Sequence, residues 1–406
     1  MREIFCFGKR GIMHKPTIRT ITIGLEDTHP LEARRIREVA RQLAGVRERF
    51  SSAGYEVQTV RLATRPLFDD LATWSAQQML DYVRDLQATL SEVELGYCAL
   101  GPAQAARPDF PLERIELIPE LLAASSSSSL TVQLADQEHG LRQEAALPVA
   151  RAMLRLARET EEGFGNFNFA MLACVAPGTP FFPAAYHSGP GSLALGLQGA
   201  GIIRGVADAW AATGEQTPLS LTQISEQVKH ALEEQARPVV ELGQRLAEET
   251  NLHFGGIDLS PAPMGEESIG AALEAFGYGE IGGPGMLALS SSLTRALKSC
   301  QLPTCGYCGL MLPVLEDALL GQRWAEGRVS THELLLYSSV CGTGLDTIPL
   351  PGDTSAEAIA YLLLDVATLA WRLNKPLSAR IFPVPGKRAG ETTAFSSPYL
   401  TNTRLR

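Results

Sequence analysis

The chain has 406 residues, of which 45% are hydrophobic and 20% charged, and its formal net charge is -10. This composition predicts a globular protein with a large core, and the acidic balance disfavours nucleic-acid binding because phosphate backbones attract positive surfaces. No apolar run of about 18 residues and no secretory leader stand out. The seven cysteines are odd in number and dispersed, which predicts reduced thiols in the cytoplasm rather than a disulfide framework.

Strand and helix patterns alternate along the whole chain. The run TIRTITIGL at 17–25 is typical of a strand, and apolar residues recur at helical spacing over 31–50. The alternation continues with a strand at 55–64, a helix around 76–92, a strand at 97–101, a helix around 111–124, a strand at 129–135, a helix at 141–160, a strand at 166–176, helices at 195–212 and 219–249, a strand at 253–260, helices at 267–276 and 285–299, a strand around 306–314, a helix at 331–340, a strand at 344–351, a helix at 355–374 and a strand at 376–385.

This alternation predicts one α/β domain with much parallel strand pairing, and several strands are apolar throughout, as when both faces of a sheet are covered. The pattern alone suggests a (β/α)₈ barrel of the TIM type. The surplus strand and the two consecutive helices at 195–212 and 219–249 argue against eight equal units. No linker composition divides the chain, so we expect a single domain over 1–406, with 1–16 and 386–406 as peripheral arms.

Polar residues recur after the predicted strands, where α/β folds bind ligands. Each has a plainer interpretation, such as capping the next helix, but their recurrence favours a site. As catalytic residues we predict His187, Asp258, Glu316, Asp346 and Cys341. As ligands of a divalent cation (Mg²⁺, Ca²⁺ or Mn²⁺) we predict Asp258, Glu316, Asp317 and Asp353.

His187 ends a Pro/Gly-rich loop after the strand at 166–176, and Phe181, Phe182 and Tyr186 predict that this loop packs against the protein. The histidine is a candidate general base or metal ligand; the alternative is a histidine that only satisfies backbone carbonyls. Arg380, in the last strand, is a candidate for meeting an anionic group.

Cys305 and Cys308 form a C-x-x-C pair in TCGYCGLMLPVLEDA (304–318). A structural zinc site needs four ligands, and no second pair of this kind occurs in the sequence. A redox pair is expected where a strand turns into a helix, whereas this pair is predicted to open a strand. Structural thiols are therefore favoured, and metal or redox use, together with Cys300 or Cys341, stays an alternative.

Several ordered motifs resemble the conserved family called domain of unknown function 711. They are IRTITIGL (18–25), NFNFAMLACVAPGTPFFPAAYH (166–187), GIDLSPAP (256–263), GLMLPVLEDA (309–318), C-x-x-G-L-D (341–346), IPLPGDT (348–354) and PVPGKRAGE (383–391). The resemblance implies the fold of pyruvate formate-lyase and the anaerobic ribonucleotide reductases, a ten-stranded α/β barrel of two five-stranded halves with outer helices. It also implies that Cys341 is more typical of the family than Cys305 and Cys308.

The glycyl-radical motif of those enzymes is missing, since the nearest string is GRVSTHE (327–333) and the tail TTAFSSPYLTNTRLR contains no glycine. The first hypothesis is therefore a non-radical hydrolase or lyase acting on a small polar or anionic metabolite. A metabolite sensor without turnover and a thiol-dependent enzyme using Cys305, Cys308 and Cys341 are the alternatives. We expect a small-molecule ligand, no nucleic-acid or membrane partner, and a homo-oligomer such as a dimer.

Overall fold

The computed structural model describes residues 15–264 and 267–406, so most of the predicted arm at 1–16 lies outside the described residues. Ten strands form its central sheet: β1 (Ile18–Gly24), β2 (Val57–Ala63), β3 (Cys98–Ala103), β4 (Ser128–Asp136), β5 (Gly140–Leu141), β6 (Phe169–Ala173), β7 (Ser192–Leu197), β8 (His253–Asp258), β9 (Gly344–Pro351) and β10 (Leu377–Val384). The α-helices are α1 (Ala33–Ser52), α2 (Leu67–Asp70), α3 (Ala76–Glu92), α4 (Ile118–Ala124), α5 (Ala146–Glu159), α6 (Ala200–Ala211), α7 (Leu221–Glu249), α8 (Ile269–Glu274), α9 (Met286–Ser299), α10 (Ala318–Glu326), α11 (Thr331–Ser338) and α12 (Ala356–Leu373).

The sheet has two halves that run in opposite directions. Strands β1, β2, β3, β4 and β6 are parallel neighbours. At its two ends this half meets β7 and β10 in antiparallel pairs, and these continue as the parallel pairs β7–β8 and β10–β9. The prediction of a ten-stranded α/β fold with surrounding helices is confirmed. The alternative of an eight-stranded TIM-like barrel is wrong, because that fold has only parallel pairs.

The predicted strand around 306–314 is not a strand; it is an irregular segment that connects the two edges of the sheet. Cys305 N–H donates to Ile257 O in β8, and Val314 N–H donates to Asp346 O in β9. Both contacts are parallel bridges of a single residue pair. Left-handed backbone at Gly306 (φ +66°) and Cys308 (φ +40°) interrupts extended structure between them. Strands β8 and β9 are thus bridged by this segment rather than paired with each other.

Strand β7 was not predicted, because the second half of its sequence SLALGL (192–197) falls within the helix predicted at 195–212. The run pairs with both β1 and β8, and every residue in it is buried. A short apolar run that is buried on all sides has no periodicity that separates strand from helix. The helix α6 begins only after Gln198 and Gly199.

Helices cover one face of the sheet, and a long loop packs against the other. Amphipathic helices pack on the outer face; α1, for example, buries Ile36, Val39 and Phe50 in the main core. The opposite face packs against the loop 174–191, where Ala184 and Tyr186 cluster with Ala170 and Leu172 of β6. The prediction that this loop packs is confirmed, since Phe181 and Tyr186 are each only 6% exposed.

Residues 386–406 run back over the protein after β10. Phe395, Leu400 and Leu405 are buried in a small cluster with Leu315 and Phe382. Backbone hydrogen bonds, such as Thr401 N–H to Leu315 O at 2.6 Å, hold this C-terminal segment in place. Within the described part of the chain, no helix is both long and apolar enough to cross a membrane.

Candidate functional site: an arginine-rich pocket

A pocket of about 60 Å³ opens where the parallel strands of the first half begin. Arg19 and Gln58 are the second residues of β1 and β2, and Tyr97 directly precedes β3. The antiparallel half contributes Asp346 from β9 and Arg380 from β10, and Glu316 follows the bridging segment. Aromatic side chains complete the walls: Phe167, Phe181, Phe182 and Tyr399.

Arg380 joins the two carboxylates of the pocket. Its Nε donates to Asp346 Oδ1 at 2.7 Å, and its Nη2 contacts Glu316 Oε1. Glu316 also meets Arg19, whose Nη2 is 3.4 Å from Oε2. Arg380 also lies over the Phe167 ring, 4.8 Å from its centroid. Glu316 is thus held between two guanidinium groups, which fixes its orientation.

Arg61 is the arginine in this pocket that has no ion-pair partner among the described carboxylates. Its guanidinium lies against the edge-to-face pair of Tyr97 and Phe182, 5.0 Å from each ring centroid, an arrangement that favours the charged form. Its Nε donates to Thr59 Oγ1 at 2.9 Å, and no described carboxylate forms an ion pair with it. The side chain is only 6% exposed, so the pocket is the space left for a partner.

The electrostatics of the pocket follow from this burial. Burial lowers the pKa of Arg61 to about 9, with Arg19 adding to the shift, so Arg61 remains charged at neutral pH. Burial raises the pKa of Glu316 above its usual range, although Arg380 and Arg19 oppose the shift. For Arg380, burial lowers the pKa, but Asp346 and Glu316 together outweigh it and raise the pKa.

Irregular backbone explains why Arg19 enters the pocket. Its neighbours Ile18 and Ile21 are buried in the main core, and the pairing of β1 with β7 shifts register between Ile18 and Thr20. A β-bulge of this kind turns a side chain to the other face of a sheet. Simple alternation along TIRTITIGL therefore gives no indication of where Arg19 points.

Of the predicted site residues, the structure brings Glu316 and Asp346 together in the pocket. His187 lies elsewhere, against Gly24 at the other end of β1; a Cβ at Gly24 would be 2.2 Å from His187 Nδ1. Gly24 lies five positions along β1 from Arg19, which is about 16 Å of strand. The Nε2 of His187 donates to Pro190 O at 2.9 Å and Gly189 O at 3.2 Å, and burial lowers its pKa. This histidine satisfies backbone carbonyls.

Asp258 does not line the pocket, and its carboxylate is fully engaged. Oδ1 accepts from Ser260 N, Ser260 Oγ and Cys308 N at 2.9, 2.7 and 3.0 Å, and Oδ2 accepts from Tyr307 N at 2.8 Å. The residue is 0% exposed. Burial raises its pKa, and the four donated hydrogen bonds oppose the rise. Asp258 therefore fastens the bridging segment to the end of β8.

The four predicted cation ligands do not come together. Asp317 caps α10 by accepting from Leu319 N and Leu320 N, and it also accepts from Ser268 Oγ and Gly270 N. Asp353 is exposed in the turn after β9, and Glu316 is paired with arginines. Over residues 15–264 and 267–406, no group of three or more His, Cys, Asp or Glu is arranged to hold a metal ion. These residues do not fit a divalent-cation site.

Cys305, Cys308 and Cys341, the predicted thiol candidates, are also outside the pocket lining. Cys308 and Cys341 are buried, and burial raises the pKa of both thiols, that of Cys308 to about 12. Cys305 is half-buried, and its pKa is likewise raised by burial. A reactive thiol needs a lowered pKa, so this environment does not favour nucleophilic cysteines.

Sequence reasoning missed Arg19, Gln58, Arg61 and Tyr97. It named Arg380 as a candidate for meeting an anionic group, and in the structure Arg380 pairs with the carboxylates of Glu316 and Asp346. A signal was available for Arg61. It stands inside the strand run YEVQTVRLAT, and a charged residue on a strand covered on both faces needs a partner.

The profile of the family described as "Uncharacterised ACR (DUF711)" matches residues 12–396. The chain is 28% identical to the UPF0210 protein of Desulfovibrio desulfuricans, over 93% of this chain and 88% of that protein. It is 30% identical to the UPF0210 protein of Pyrobaculum arsenaticum, over 92% and 84% of the two chains. The UPF0210 protein of Methanopyrus kandleri is 29% identical, over 93% and 88%. These similarities span the motifs that predicted the family.

Proposed function

The chain belongs to the DUF711 family, and we propose that it is an enzyme that binds a small anionic metabolite in the arginine-rich pocket and transforms it by proton transfer, as a hydrolase or lyase does. The observation that supports this most strongly is Arg61, a buried cation with no described carboxylate partner beside a cavity. Burying an unpaired charge is costly, so such a group is retained where a ligand completes it.

Glu316 is the proposed acid and base. Burial raises its pKa, which brings a carboxyl group closer to the range where it exchanges protons at neutral pH. Arg19 and Arg380 hold its two oxygens. Asp346 acts through Arg380 and is a positioning residue. The proposal uses no metal ion; a divalent cation stays a prediction, which elemental analysis of the purified protein tests.

Binding is tested by titrating the protein with small anions in a calorimeter and repeating the titration with Arg61→Gln. Loss of a charge-assisted hydrogen-bonding partner costs about 1.5–3 kcal/mol, so affinity should fall about 10- to 150-fold. Arg34→Gln is the matched control, since the Arg34 side chain is 85% exposed. Equal affinities in the native protein and Arg61→Gln would overturn the assignment of the pocket.

Turnover is tested separately, by NMR of the bound anion after incubation with the protein. Glu316→Gln should abolish conversion while the anion still binds, because the variant retains Arg61. Binding without conversion in the native protein would favour the metabolite sensor instead. Conversion that survives in Glu316→Gln would remove Glu316 from the acid–base role.

A further inference from the structure

The chemistry of the pocket restricts its ligand further, given the proposed function. We propose that the ligand is a small monocarboxylate that also carries a hydroxyl group. The carboxylate binds the Nη atoms of Arg61, and the hydroxyl binds the side-chain amide of Gln58.

Size gives the first restriction. The cavity has about 60 Å³, and one water molecule needs about 10–15 Å³ on the same measure. A ligand of about four to six non-hydrogen atoms fills that space. Nucleotides and sugar phosphates are several times larger. The site is therefore matched to a short-chain acid.

Charge gives the second restriction. The described lining residues include three arginines, at 19, 61 and 380, and two carboxylates, Glu316 and Asp346, so three minus two leaves one positive charge. A monoanion neutralises this charge. A phosphate dianion would instead leave an excess negative charge beside two buried carboxylates, which is unfavourable in a medium of low dielectric constant.

The geometry of Arg61 gives the third restriction. The Tyr97 and Phe182 rings, which are perpendicular to each other, both lie against its guanidinium, and its Nε donates to Thr59. Only the N–H groups at its Nη edge remain for a ligand. These lie in one plane, as the two oxygens of a carboxylate do, and the pair makes a bidentate contact.

Gln58 supplies the site for the hydroxyl. Its Oε1 is buried and has no hydrogen-bond partner among the described residues. Within the same part of the chain, its Nε2 meets the thioether sulfur of Met264, a weak acceptor that Arg19 Nη1 also approaches, at 3.3 Å. A hydroxyl group both donates and accepts, so it pairs with either end of the amide. Ligand oxygen at this position gives the amide the partner that the protein does not provide.

The test compares lactate with propionate, which differs only by lacking the hydroxyl, by calorimetric titration of the whole protein. We expect lactate to bind about 3- to 10-fold more tightly than propionate, which corresponds to the net free energy of one hydrogen bond. Gln58→Leu should remove the difference, so that the ratio of lactate to propionate affinity in this variant falls to about one. Gln77→Leu is the control, because Gln77 is exposed on α3 and hydrogen-bonds only Asp81.

The outcomes separate this inference from the proposed function. Equal affinities for lactate and propionate in the native protein overturn the hydroxyl assignment, whatever the variants do, while anion binding by Arg61 stands. Inorganic phosphate binding more tightly than either acid overturns the monocarboxylate class. If none of the three anions binds, or if Arg61→Gln binds them as well as the native protein does, the proposed function itself fails.

Discussion

Asp258→Asn separates a structural role from a catalytic role for a carboxylate that the sequence predicted both as a catalytic residue and as a cation ligand. The carboxylate accepts four hydrogen bonds, three at Oδ1 and one at Oδ2. An asparagine that keeps its carbonyl at the Oδ1 position turns its amide N–H towards Tyr307 N–H. Two buried donors then lack acceptors, at about 1–3 kcal/mol each, so the free energy of unfolding should fall by about 2–6 kcal/mol.

Equilibrium unfolding in urea measures this change, with Asp353→Asn as the control. Asp353 is exposed, and substitutions of that kind change stability by less than about 0.5 kcal/mol. Anion titration below the unfolding transition should give native affinity for Asp258→Asn. The structural role is refuted if Asp258→Asn is as stable as the control. If that stable variant also fails to bind the anion, Asp258 has a role in binding or catalysis.

Three further predictions concern groups away from the pocket. Burial lowers the pKa of His29 from 6.5 to about 4, so on acidification the unfolded chain binds the proton before the native protein does. Between these two pH values the free energy of unfolding of the native protein should therefore fall by about 3 kcal/mol more than that of His29→Gln. Parallel curves of stability against pH for the two proteins would contradict this. Gly24→Ala should destabilise the protein by about 1–3 kcal/mol, because the added methyl group overpacks against His187. Gly45→Ala is the control; it has open space on α1 and should stabilise the protein by up to about 1 kcal/mol. Equal melting temperatures for the two variants would contradict the position of His187 next to Gly24. Cys98, Cys308 and Cys341 should resist a thiol reagent in the native protein, because burial raises the pKa of each thiol, and rapid labelling of any of them would revive the thiol-dependent alternative.

The α/β class and the large sheet were predictable because strands covered on both faces are continuous apolar runs. The run FAMLA of β6, for example, lies within the strand predicted at 166–176. The same property made β7 hard to recognise, because all six residues of SLALGL are buried and its single polar residue, Ser192, reveals no alternation. The irregular segment between β8 and β9 was mistaken for a strand because LMLPV is apolar. Its burial comes from connecting the two edges of the sheet, a long-range effect that local sequence does not record.

The site was predicted in part, and the orientation of the two halves explains which part. We expected polar residues at the carboxyl ends of strands, a rule for sheets whose strands all run one way. In this sheet the halves are antiparallel, so the carboxyl ends of one half adjoin the amino ends of the other. Glu316, which follows the bridging segment of the second half, obeys the rule. Arg19, Gln58 and Tyr97, at the amino ends of the first half, do not.

The opposite directions of the two halves also explain why the predicted site residues do not all lie together. His187 follows the rule for the first half and therefore lies at the other end of β1, next to Gly24. Arg61 is the residue that sequence reasoning had most cause to find. A guanidinium in the interior must be paired, held by aromatic rings or completed by a ligand, and Arg61 contacts two rings and has no described carboxylate partner. For a fold of this kind, charged residues inside apolar strands are better guides to the site than polar residues in the loops that follow them.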